Sequence, residues 1–158
     1  MSKPAPTGSP PVHPGTDVDP TLRLVGVSEQ PLEPALFEAA VNHPRAGGRV
    51  VFCGVVRDHD HGREVLELEY QGHPSAPDVL AGIAAEFAAE QEVLAVAVSH
   101  RVGQLAVGDI ALVAAVATAH RRAAFDACAR LVDEVKTRLP IWKRQVFADG
   151  SDEWVNCP

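Results

Sequence analysis

Residues Leu22–Ser28 (LRLVGVS) alternate apolar and polar side chains, so every second residue falls on one side of an extended chain, and this predicts a first strand. The stretch after it reads as a short helix from about Pro34 to Asn42, halted by Pro44 and the Gly47-Gly48 pair. RVVFCGVVRDH, residues 49–59, is rich in β-branched residues and predicts a buried strand that delivers Arg57 at its end. A polar turn, DHDHGRE, follows. Alternation then resumes in VLELEYQ, which predicts a strand with Leu66, Leu68 and Tyr70 on one face.

The period then lengthens. Val79, Ile83 and Phe87 recur at helical spacing behind a Ser75/Asp78 capping pair. VLAVAVSH predicts a strand, RVGQLAVGD a turn, and IALVAAVAT a second fully apolar strand. That run passes directly into AHRRAAFDACARLVDEVKTRL, where Phe125, Cys128, Val132, Val135 and Leu139 mark one helical stripe. The helix must end near Leu139, because a residue before proline is pushed out of the α region. Strands and helices alternate irregularly, so the class is α/β or α+β with mixed strands. Residues 1–20 hold six of the 13 prolines and almost no large apolar side chain, which predicts a disordered tail ahead of a single domain over 21–158.

Composition narrows the function classes. Charged residues make up 22% and the formal net charge is -7, a balance that argues against nucleic acid as a partner. The sequence has no apolar stretch long enough for a membrane span and no secretory leader pattern, so a cytoplasmic protein is expected. Cys53, Cys128 and Cys157 are odd in number and widely spaced, which suits a reducing compartment and neither a disulfide framework nor a zinc site. His59 and His61 lack further ligands at a recognisable spacing, so no metal and no bound cofactor are expected.

Charge is distributed unevenly. Between His120 and Arg144 there are seven Lys/Arg against three acids, one basic region within an acidic chain. His120 and Arg121 open the long helix, where cations oppose the helix dipole unless an anion binds there. Lys136 and Arg138 close the same helix and would complement its dipole, but Lys143 and Arg144 lie beyond Pro140 in a new segment. If Pro140 folds that segment back with Trp142 buried as an anchor, Lys136 and Lys143 face one pocket. Such a pocket suits a compact anion and a reaction that builds negative charge, and Arg57 is a further ligand for it.

FCGVVRDHDHGREVLELEYQGHP, HRVGQLAVGD, AHRR and KTRLPIWKR occur in this order, and together they resemble the catalytic (large) subunit of molybdopterin synthase from about Leu22 to Val155. The resemblance implies an α/β-hammerhead fold with an additional antiparallel β subdomain. It implies sulfur transfer to cyclic pyranopterin monophosphate from a small ubiquitin-like carrier ending in a Gly-Gly thiocarboxylate, and a homodimer at the centre of a heterotetramer. It further implies that Lys136 and Lys143 are catalytic and that Val55, Val56, Arg57, His120, Arg121, Arg144 and Gln145 line the substrate site with them. Gln145 stands where the family commonly has Glu, and the QGHP loop, Gln71–Pro74, departs from the usual E-H-Y-P. The alternative expectation is a non-catalytic adaptor that keeps the fold and the tail-docking pocket.

Overall fold

The computed structural model describes residues 19–156; most of the Pro-rich tail, and Cys157, lie outside the described residues. The chain runs β1 (Leu22–Ser28), α1 (Pro34–Ala40), β2 (Gly48–Val55), β3 (His59–Asp60), β4 (Arg63–Gly72), α2 (Ala76–Ala88), β5 (Val93–Arg101), β6 (Gly103–Leu105), β7 (Ile110–Thr118), α3 (Arg121–Arg138), β8 (Ile141–Phe147) and β9 (Asp152–Asn156). Among the described residues the result is a mixed α+β fold with two sheets and three helices.

The first sheet has the order β1-β5-β7-β2, parallel between β1 and β5 and antiparallel elsewhere. Both of its faces are covered, which is why VLAVAVSH and IALVAAVAT are apolar without alternation. Val96, Val98, Leu112, Ala114 and Val116 meet α2 and α3 on one side. On the other side Ala95, Ala97, Val113, Ala115 and Ala117 form a floor of mostly small residues on which Leu32, Phe37 and Val41 of the α1 region pack.

The second sheet is antiparallel throughout, with the order β3-β4-β8-β9 and with β6 paired to β4. Residues 58–64, expected as a plain polar turn, form a tight hairpin. His61 (φ 49°) and Gly62 (φ 76°) both have positive φ, the geometry of a two-residue type I′ connection. Leu66 is 52% exposed, while Val65, Leu68 and Tyr70 are buried. The register slips between Val65 and Glu67, and the bulge there reverses the alternation that placed Leu66 inside.

Three other expectations change. The β2 strand is half-buried, because it is the edge of its sheet. Phe125 is 62% exposed on α3 although it fits the helix's apolar stripe. Ser75 does not cap α2 with its side chain; its Oγ lies 2.8 Å from His73 Nδ1. The α3 helix ends at Arg138 as the proline requires, with Leu139 in extended geometry.

Candidate active site

The sharp exit from α3 into β8 creates the site. Lys136 lies in the last helical turn, and four residues after it Pro140 sends the chain back along β4, fixed by a hydrogen bond from His73 N–H to the Pro140 carbonyl (2.9 Å). Residues directly opposite in an antiparallel pair project to the same side. Tyr70 is opposite Lys143 and Leu68 opposite Gln145, so all four side chains share one face. Lys136 and Lys143 therefore line a single cavity of about 140 Å³, together with Val55, Val56, Arg57, Asp60 and Gln145. Val56 is buried, whereas Val55 is exposed at the rim.

Two predicted members fall elsewhere. Arg144 projects from the opposite face of β8, where its Nε donates to Asp152 (3.0 Å). Trp142 lies on that same outer face, 39% exposed, and is no buried anchor. His120 and Arg121 stand exposed at the start of α3, whose first turn has neither an acid nor a side-chain cap. At 1.5 Å per helical residue, Arg121 is about 22 Å along the axis from Lys136. One chain thus carries two cationic positions at opposite ends of α3.

The start of α3 has a tight neighbour in the loop before β2. Gly47 N–H donates to the Thr118 carbonyl (3.0 Å), and a Cβ on Gly47 would collide with the Ala119 backbone. The Gly47-Gly48 pair, read from sequence as a helix stop, is also what lets this loop close on the helix start.

The HRVGQLAVGD segment positions Arg57, and none of its own residues lines the cavity shared by Lys136 and Lys143. Asp109 accepts from Ala106 N–H (2.9 Å) and pairs with Arg101 (3.4 Å) across a loop that turns at Gly103 and Gly108, both with positive φ. Val56 N–H donates to the Asp109 carbonyl and Gly108 N–H to the Val56 carbonyl, which fixes the backbone next to Arg57.

Two side chains at the site were not singled out in the sequence, His100 and Asp60. His100 is 6% exposed, meets Tyr70 edge-on at 4.9 Å, and lines with Lys136, Gly54 and Tyr70 a narrower cavity of about 70 Å³. Its Nδ1–H donates to the Arg101 carbonyl (2.7 Å), which fixes the tautomer and leaves Nε2 as the acceptor. Burial pushes its pKa down to about 4; the Arg101 carbonyl opposes this, and nearby Lys136 adds to it. Above its unfolded value near 6.5 the imidazole is neutral in both states. As pH falls below 6.5, the unfolded chain takes up a proton that the folded chain refuses, so stability drains away until about pH 4. The full loss is about 3 kcal/mol. Urea midpoints measured from pH 7 to 4.5 should fall accordingly, and this component should vanish in His100→Asn, whose amide keeps the donor to Arg101.

Asp60 faces the cations. Its carboxylate lies 3.6 Å from Arg57 and 3.2 Å from His61 Nδ1. Burial pushes its pKa up, but a hydrogen bond from Gln145 and the charges of Lys143, His61 and Arg57 outweigh this and hold it below the usual carboxylate range. His59 turns to Asp58 (2.7 Å), and among the described residues no group of three His, Cys, Asp or Glu side chains could hold a metal. No helix among them is long and apolar enough to cross a membrane.

The chain is similar in sequence and fold to several known proteins. A family model described as MoaE protein matches residues 27–138. The molybdopterin synthase catalytic subunit 1 of Mycobacterium tuberculosis is 38% identical over 130 residues, 82% of this chain and 88% of that protein. The crystal structure of molybdopterin synthase from Staphylococcus aureus superimposes with a TM-score of 0.76 at 28% identity, covering 83% of this chain and 96% of that one. A complex of subunits 1 and 2 of the molybdopterin-converting factor from Helicobacter pylori shares the fold (TM-score 0.62, 15% identity, covering 86% and 89%).

Proposed function

The chain belongs to the MoaE family of molybdopterin synthase catalytic subunits, enzymes of molybdenum cofactor biosynthesis, and from that premise we propose that it transfers sulfur from a carrier's C-terminal thiocarboxylate to cyclic pyranopterin monophosphate. The observation that carries this reading is the convergence of Lys136, Lys143 and Arg57 on one small cavity. Cations fixed there stabilise the negative charge that develops when the thiocarboxylate sulfur attacks and when the carrier's acyl–sulfur bond breaks. As the C–S bond forms, the pterin side-chain carbon gives up a C–O bond. Water then cleaves the acyl–sulfur bond and the carrier leaves as a carboxylate. Each transfer thus exchanges one sulfur for one oxygen, and no cysteine of this chain is needed. The carrier-binding role is supported by the narrow second cavity, which shares Val55, Tyr70 and Lys136 with the first. A Gly-Gly tail has no side chains to obstruct so slender an approach. The Helicobacter pylori relative is known in complex with its other subunit. The reaction calls for no resident cofactor and suits the cytoplasm.

The same proposal gives His120 and Arg121 their place. They are too far along α3 to serve Lys136 of their own chain, but a second copy can supply them. The β2 strand is the open edge of the first sheet, and beside it an apolar groove is lined by Val50, Phe52, Phe125, Cys128 and Val132. A two-fold contact across that edge runs two β2 strands in opposite directions. The Gly48 end of one, next to Arg121, then lies beside the Val55 end of the other, next to the Lys136 cavity. The pterin phosphate would sit on His120 and Arg121 of one copy while its reacting carbons face Lys136 and Lys143 of the other.

The test is direct. The wild-type chain is incubated with thiocarboxylated carrier and cyclic pyranopterin monophosphate, and both dithiolene product and carrier binding are measured. Product with turnover is expected. Carrier binding without product would mean an adaptor, and neither would mean that the pocket serves another phosphate ester.

A further inference from the structure

We propose that Asp60 is a positioning residue of the sulfur-transfer site: its carboxylate, held by the buried amide of Gln145, draws Lys143 and Arg57 together over the reacting atoms. The proposal rests on the reading of this pocket as a molybdopterin synthase site. Among the residues that line the main cavity, Asp60 is the one carboxylate, set against Arg57, Lys136 and Lys143. Its backbone is fixed by the two-residue hairpin, in which Asp60 pairs with Arg63 across the His61-Gly62 turn.

Gln145 explains how the carboxylate is held. It is 3% exposed and lies on the same face of β8 as Lys143, two residues away, with the buried Leu68 opposite. A buried primary amide requires partners, and Asp60 accepts a hydrogen bond from it. One carboxylate thus joins an amide on β8, a lysine on β8 and the arginine that follows β2. A carboxylate in a pocket that receives the carrier's anionic tail works against binding of that tail. Its presence there is understandable if it orients cations for the reaction and does not serve affinity. That distinction separates kcat from KM.

The amide and the carboxylate can be exchanged across their shared hydrogen bond with almost no change of shape. Asp60→Asn, Gln145→Glu and the double variant are compared with wild type in full-length chains, with thiocarboxylated carrier and pterin monophosphate, and with thermal midpoints recorded for all four. Asp60→Asn should lower kcat about tenfold or more and leave KM for the pterin equal or lower. Gln145→Glu alone places two carboxylates together and should also impair turnover. The double variant restores one carboxylate beside one amide and should recover most of the lost rate, a coupling that independent sites would not show.

The proposal is overturned if Asp60→Asn keeps the wild-type kcat or if its effect lies wholly in a raised KM. It is also overturned if the double variant is as poor as the worse single one, or if the losses in rate simply follow losses in thermal midpoint. Titration with a short peptide ending in Gly-Gly, whose carboxylate stands in for the carrier's tail, reads the same Asp60 carboxylate without turnover. Asp60→Asn should bind this peptide severalfold more tightly and the double variant as wild type does; equal affinities would overturn the proposal. Peptide binding in this pattern, from a wild-type chain that makes no dithiolene, would instead contradict the assigned reaction.

Discussion

A Lys136→Ala chain should bind the carrier as wild type does and form dithiolene about 100- to 1,000-fold more slowly, the cost of removing one fixed donor from a charge-stabilising site. Lys136 is exposed at the end of α3, with its neighbour Val135 buried in the core, so the helix is anchored by residues other than the lysine. Alanine is the best helix former, and the substitution should leave the thermal midpoint nearly unchanged. Lys136 also borders both cavities, where the carrier's tail and the pterin would meet. Loss of turnover with binding intact is therefore the signature expected. Lys136→Arg keeps the charge and removes any easily formed neutral amine. Substantial activity in that variant would assign Lys136 to electrostatic stabilisation rather than nucleophilic attack. Equal turnover by wild type and Lys136→Ala would remove Lys136 from the chemistry altogether.

Equimolar mixing of a Lys136→Ala chain with an Arg121→Ala chain should restore activity that neither has alone. If each site draws Lys136 from one copy and Arg121 from the other, a mixed dimer contains one site with both residues altered and one with neither. Random exchange makes half the dimers mixed, so about a quarter of the wild-type rate should return. If both residues act within one chain, every site in the mixture remains defective and the rate stays at the level of the single variants. The length of α3 makes the second outcome hard to reconcile with a single substrate about the size of a pterin, since Arg121 and Lys136 stand about 22 Å apart along the axis. Rates should be followed after a period of subunit exchange, with dimer formation checked for both variants.

Much of this architecture is legible in the sequence where one physical signal dominates. The unbroken apolar runs of β5 and β7 announce strands buried on both faces, and Pro140 fixes the end of α3. Where several signals compete, the reading fails for identifiable reasons. A bulge at Val65–Glu67 inverts the face of Leu66, and no residue type marks that bulge in advance. The β3–β4 hairpin turns on His61-Gly62, a pair without the Asn or Asp that usually announces such a turn, so Asp60 is taken for part of a polar loop. Phe125 obeys helical periodicity yet faces out, because periodicity cannot tell an apolar face that meets the chain's own core from one available to a second copy.

The candidate site divides the same way. Lys136, Lys143, Arg57 and Gln145 are found by charge and by the family resemblance, and the geometry brings them to one cavity. Arg144 is excluded by strand parity: adjacent residues on β8 project to opposite faces, so Lys143 and Arg144 cannot both enter. The separation of His120 and Arg121 from Lys136 was available from helix length alone, since a helix that begins at one and ends at the other holds them apart.

The most direct measurement is a crystal structure of the dimer with cyclic pyranopterin monophosphate bound. The phosphate should accept hydrogen bonds from His120 and Arg121 of one copy, with the pterin carbons destined for sulfur beside Lys136 and Lys143 of the other. A substrate held wholly by one chain, with its phosphate on Lys136 and no contact to a second Arg121, would contradict the composite site.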